Sequence, residues 1–315
     1  MIALEEFLDD ELPKLIRADS IDSIEAVAFI GAGISQNYGC KSWGQLANDL
    51  LQECMALKIT GMNYLTVRSL QTREINNKLL ITIAKDLLDK VDETAFINCV
   101  KKSLNHKDCA DNEKIWLPID SKKNSEVYKH IKECFSYFIT TNADMHIDQL
   151  HTNIGENIRE KDFNEQNLKR NTLYKIHGCI SNPSSMIFTS EQYIRNYGIN
   201  GKVGKFLHSV FNKYSAVFIG YGLAEFEVLE RLLESNNNTH FIILGYFRHE
   251  ENLINSYDSY FKALNVKQVV FYMDDLGYQE LNDKLEKFYK KLQNRNKPLE
   301  KYLVIDQAFM EINNE

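Results

Sequence analysis

The residues of this 315-residue sequence that could do chemistry fall into four short clusters. The first is Phe29-Ile30-Gly31-Ala32-Gly33-Ile34-Ser35, where two glycines allow a sharp turn and close backbone approach to a ligand. Backbone N–H groups in such a turn, with a helix N-terminus behind them, can hold a diphosphate, and Ser35 adds a hydroxyl donor or caps the next turn. A third glycine at G-x-G-x-x-G spacing is absent, and no acidic residue ends a second strand about 20 residues on, which points away from hydride transfer. The second cluster is Thr140-Thr141-Asn142-Ala143-Asp144. The Asn142 amide can donate and accept at once, which suits a ribose hydroxyl and a water, while Asp144 caps the following helix or supports the site. The third, Lys175-Ile176-His177-Gly178, offers His177 as the general base among eight histidines, because imidazole titrates near working pH. The fourth, Gly220-Tyr221-Gly222-Leu223-Ala224-Glu225, gives another close-approach loop and an acceptor in Glu225 that reaches a ribose or caps a helix near Ala224.

These clusters follow short apolar runs that must position them. Ala26–Ile30, Phe135–Thr140, Leu173–Ile176, Ala216–Ile219, Phe241–Leu244 and Gln268–Tyr272 are mostly β-branched or aromatic and apolar on both faces, as buried parallel strands are. Helical spacing between them predicts a doubly wound α/β sheet of about six mainly parallel strands, Rossmann-like, with ligands at the carboxyl ends. Residues 42–132 hold no convincing strand. Gly44–Met55, Ile75–Leu88 and Glu93–Leu104 read as amphipathic helices, so this stretch is expected to be a helical insertion packed beside the sheet or over the cleft. The tail after residue 294 carries Leu303-Val304-Ile305 and Phe309-Met310, an apolar strip for its own domain, an interface or a further domain.

The balance of 44 Asp+Glu against 37 Lys+Arg, net −7, argues against direct nucleic-acid binding. No apolar run reaches the roughly 18–20 residues of a membrane span, and Met1–Asp10 is acidic rather than signal-like, so a cytoplasmic location is expected. The cysteines at 40, 54, 99, 109, 134 and 179 form no C-x-x-C pair, and His146 and His151 are five apart, so no metal is expected and both histidines read as structural or surface residues.

In order, AFIGAGIS, FITTNAD, YKIHG and VFIGYGLAE resemble the sirtuin-like (silent information regulator-like) family, more narrowly the NAD-cleaving effector domains of bacterial anti-phage defence, over roughly residues 20–290. The resemblance implies one domain over residues 1–294 with NAD+ as substrate. Gly31, Ala32, Gly33 and Ser35 would surround the phosphates, and Thr141 and Asp144 would join them in the NAD pocket. Asn142 and His177 would be the catalytic pair, and Gly220 and Glu225 would lie near the adenosine. It also implies an oligomer or a partner defence protein that holds activity in check. Ala143 stands where the defence branch usually has Tyr, and Glu225 where it commonly has Asp. The paired C-x-x-C zinc module of sirtuin deacylases is missing. The expected activity is therefore NAD+ hydrolysis to nicotinamide and ADP-ribose. A non-hydrolysing NAD or ADP-ribose binding subunit and a zinc-free deacylase are the alternatives. Saturable binding without product would mark the first, and nicotinamide release only with an acylated peptide the second.

Overall fold

The computed structural model describes residues 1–16, 25–73, 75–104, 127–149, 158–159, 163, 168–198, 200–235 and 238–291. Its centre is one all-parallel sheet of eight strands: β1 (Ile2–Ala3), β2 (Ala26–Ile30), β3 (Tyr137–Thr140), β4 (Ile158–Arg159), β5 (Thr172–Lys175), β6 (Ser215–Ile219), β7 (His240–Tyr246) and β8 (Val266–Tyr272). They stand in the order β1-β8-β7-β6-β2-β3-β5-β4. Each of the six apolar runs forms a strand, and the sheet is the α/β Rossmann-like one the sequence predicts. The two extra strands are two-residue edge pieces, too short to leave a period in the sequence.

Strand β2 is buried at all five positions, and its side chains divide by parity. Ala28 and Ile30 join Phe138, Leu173 and Phe241 on one face, whereas Val27 and Phe29 join Ile139, Tyr174 and Phe218 on the other. A parallel sheet covered by helices on both sides requires this two-faced apolarity.

From β2 the chain runs to one side through β3 and β5, then returns to build β6, β7 and β8 on the other side. The order therefore reverses beside β2, which makes a crevice at the carboxyl ends. Register brings the clusters level there: Ile30 pairs with Ile219 and with Thr140, and Thr140 pairs with Lys175. All four polar clusters start within one or two residues of that line.

The helical insertion has its own core. Helices Trp43–Ala56, Asn77–Asp89 and Ala95–Ser103 correspond to the three predicted ones, and Tyr64–Thr72 is a fourth that the sequence reading missed. Ser42 and Gln45 form a capping box that sets the start of the first. Leu50, Leu51, Ile81, Phe96 and Val100 pack with Ala143, Ile180 and Phe188, so the insertion is fastened directly to the loops after β3 and β5. Residues 105–126 of the insertion, His151 and the tail 295–315 lie outside the described residues. No helix among the described residues is long and apolar enough to cross a membrane.

Candidate functional site

The turn after β2 runs into the one-turn helix Ala32–Gln36, and the long helix begins only at Trp43. Gly31 N–H donates to the Ile219 carbonyl at 3.0 Å, and Gly33 N–H donates to the Gly220 carbonyl at 2.9 Å. Both glycine amides that were expected to cradle a diphosphate are thus engaged, one by the end of β6 and one by the loop after it. The physical reason is closeness: a Cβ on Gly31 would lie 2.5 Å from Gly220 O and 2.6 Å from Tyr221 Cα. Here the glycines serve a backbone-to-backbone seam between two loops. Gly31→Ala is expected to destabilise the fold by about 2–4 kcal/mol, read as a drop in denaturant midpoint, because the clash is with main chain that cannot rotate away. An unchanged midpoint would contradict that reading.

Ser35 is buried and faces inward. Its Oγ donates to Asp144 Oδ2 at 2.6 Å, accepts from Asn142 Nδ2 at 2.8 Å and lies 2.8 Å from Tyr128 Oη, which must therefore donate. Asn142 Nδ2 also reaches the Gly31 carbonyl at 3.0 Å, an atom that only accepts, so the orientation of this amide is fixed. Its Oδ1 is buried with no hydrogen-bond partner. That orphaned acceptor sits where a ligand hydroxyl or water could satisfy it. Asp144 Oδ1 accepts His146 N–H at 3.0 Å, so Asp144 both caps the helix His146–Gln149 and anchors Ser35. Tyr128, on helix Val127–Cys134, was invisible to sequence reasoning because a tyrosine at helical spacing reads as core.

His177 follows β5 and is fully buried. A ring N–H donates to the Thr141 backbone carbonyl, and Nε2 lies 2.6 Å from Tyr197 Oη. Tyr193 Oη is 3.4 Å from Nδ1, and Trp43 approaches edge-on at 6.5 Å. Gly178 lets the chain leave this spot: its φ is +78°, and a Cβ there would lie 2.3 Å from Ser185 O. Burial lowers the His177 imidazole to about 3, with the Lys78 charge adding to it and the Thr141 carbonyl opposing. His177 is neutral at working pH.

Glu225 has Oε2 3.6 Å from His177 Nε2. It stands at the N-cap position of helix Phe226–Glu234, but its side chain makes no cap hydrogen bond. Burial pushes its carboxyl up to about 7; the Lys78 charge opposes this and Glu227 adds to it. Lys78, from the insertion, pairs with Glu227 at 2.7 Å and lies 3.6 Å from the centre of the Tyr193 ring, so the insertion closes the His177 side.

The signs of these two shifts oppose each other. Raised Glu225 favours folding at low pH, and that contribution is lost between about 4.5 and 7. Depressed His177 favours folding above 6.5, and that contribution is lost as pH falls toward about 3. Glu225→Gln should therefore raise the thermal midpoint relative to the parent at pH 8, by roughly 1–3 kcal/mol of stability, and lose that advantage by about pH 5. A pH-independent difference would refute the assignment.

The open part of the crevice is a cavity of about 520 Å³ beyond the glycine seam, lined by Gly33, Gln36, Asn37, Gly220, Gly222 and Leu244 among others. Neither Asn142 nor His177 lines it. The site thus has an open half over β2, β6 and β7 and a closed polar half over β3 and β5. Ala143, where the resemblance has Tyr, is buried in the insertion's core and does not line the cavity. His146 is buried and lies beside Asp144 and Cys40.

No curated protein matches the chain. The match that is found starts just before β3 and ends within β8, and so takes in Asn142, His177 and Glu225 but not the glycine turn: residues 136–268 are similar to the SIR2-like domain family.

Proposed function

We propose that the chain hydrolyses NAD+ at the nicotinamide N-glycosidic bond, releasing nicotinamide and ADP-ribose. SIR2-like domains bind NAD+. The observation that carries the reading is the closed polar half: the orphaned Asn142 Oδ1 and the His177 ring stand on the ends of adjacent strands, beside a cavity large enough for the rest of a dinucleotide.

The nicotinamide leaves as a neutral molecule, so no general acid is required. The residues must instead steady a cationic ribose and deliver water. Asn142 Oδ1 accepts from the ribose or the water, and its Nδ2 is locked by Gly31 and Ser35. The bare nitrogen of neutral His177 takes the proton, and a Glu225 carboxylate at 3.6 Å stabilises the imidazolium that results. Activity is then expected to rise with pH through about 7 as Glu225 ionises, and Glu225→Gln should flatten that limb in a pH–kcat/KM profile.

Chromatographic analysis of purified chain with NAD+ tests the proposal. Nicotinamide and ADP-ribose in equal amounts support it, whereas cyclic product or no turnover under any partner or trigger condition removes it. A second reading, NAD binding without turnover, is favoured by one feature: His177 is fully buried and its ring is held by Thr141 and Tyr197. Saturable binding without nicotinamide release marks that case. By resemblance we place the activity in an anti-phage response that depletes NAD+, under the control of a second copy or a partner protein that opens the His177 side.

A further inference from the structure

Outside the steps just described, one cluster of side chains has the chemistry of a binding site. Cys40, Asp144 and His146 are all buried, and Sγ, a carboxylate oxygen and an imidazole nitrogen lie within 4.8 Å of one another. They come from two segments: Cys40 follows the helix Ala32–Gln36, and the other two follow β3, His146 as the first residue of the helix His146–Gln149. His146 Nε2 is buried and has no hydrogen-bond partner. Tyr38 stacks on its ring at 5.2 Å, which fixes the plane of that lone nitrogen. Asp144 receives one N–H and one O–H, and a carboxylate has about four lone-pair positions, so it retains capacity for a further bond. The Cys40 thiol, a weak donor, gives its hydrogen bond to the Leu104 carbonyl at 3.4 Å.

We propose that Cys40, Asp144 and His146 bind a divalent metal ion of the zinc class, which clips the loop after the glycine turn to the loop that carries Asn142. Sulfur, nitrogen and carboxylate oxygen together are a zinc donor set, whereas magnesium and calcium take oxygens. Ligands of one tetrahedral zinc sit about 3.3–3.8 Å apart, so atoms now within 4.8 Å must close by no more than about 1.5 Å. Charge points the same way. The buried Lys175 ammonium pairs with Asp148 at 2.9 Å but meets Asp144 through its backbone carbonyl, so two buried carboxylates stand against one cation, which leaves an excess of one negative charge. A dication that displaces the thiol proton cancels that excess: the S–H bond breaks, the sulfur pair forms the bond to the metal, and the proton passes to solvent. Burial and the Asp144 charge hold this thiol protonated until the metal arrives.

The test uses the whole chain stripped with chelator, and Zn2+ or Co2+ alone as the probe. Titration calorimetry in buffers of different ionisation enthalpy should give one equivalent of Zn2+ bound with about one proton released. The Co2+ form should show a thiolate charge-transfer band. Cys40→Ser and His146→Gln, each checked for folding by circular dichroism, should weaken binding by at least about 100-fold and remove the zinc-dependent rise in Tm. Absence of stoichiometric binding, a cobalt spectrum without the thiolate band, or parent-like affinity in folded Cys40→Ser would each overturn the proposal. None of these readouts involves NAD+ cleavage, so their failure is distinct from failure of the function proposed above.

Discussion

Replacing His177 is expected to lower nicotinamide release from NAD+ by about 100-fold or more, seen in kcat with little change in NAD+ binding. The residue combines a position at the end of β5, a ring held by the Thr141 carbonyl, and neutrality across the working range. Alanine alone is an imperfect probe. It would leave the buried Tyr197 hydroxyl facing a void, with a stability cost of about 1–3 kcal/mol added to any catalytic loss. His177→Gln keeps hydrogen-bonding capacity but cannot take up a proton. Both variants should therefore lose turnover, and the glutamine variant should melt closer to the parent. Asn142→Ala should show a comparable loss, since it removes the buried, unpartnered acceptor assigned to the proposed ribose. If folded His177→Gln released nicotinamide at the parental rate, the ring would be a packing element, and the binding-only reading would take precedence.

The second large effect concerns stability. Lys175 is fully buried at the last position of β5. Its ammonium donates to the Asp144 backbone carbonyl and to Asp148 Oδ2, the latter at 2.9 Å. Burial alone would lower the lysine's pKa, but Asp148 together with Cys179 and Asp144 outweighs it and the net shift is upward. Lys175→Met retains most of the volume and deletes the charge, so Asp148 becomes a buried carboxylate without its cation. The expected cost is about 3–5 kcal/mol, measured by chemical denaturation. The double variant Lys175→Met/Asp148→Leu should recover most of that loss, because replacing both ions with apolar groups is often neutral. Equal destabilisation in the single and double variants would mean that the Asp144 carbonyl contact, not the ion pair, is what matters.

The strands were legible because burial on both faces leaves a continuous apolar run, and AVAFI gives β2 its bounds. The insertion's helices were legible through their spacing, and the Ser42–Gln45 capping box sets where the first begins. Edge strand Ile2–Ala3 was not, since two residues have no period. Helix Tyr64–Thr72 was missed because one buried residue, Val67, leaves almost no stripe.

Among site residues, sequence located Asn142 and His177 at strand ends but not what surrounds them. Tyr128, Tyr193 and Tyr197 lie on helices where tyrosine reads as core, yet their hydroxyls close the network around both residues. Cys40 and His146 stand over a hundred positions apart, so a search for neighbouring ligands passes over them. The sequence by itself therefore determined which residue types end which strands, because turn chemistry and strand burial are local. Parallel register alone decided that Ile30, Ile219, Thr140 and Lys175 stand level, and so which clusters share one crevice. The same packing decided that Gly31 and Gly33 seal a seam and that Glu225 meets His177, since both depend on contacts between segments far apart in the chain.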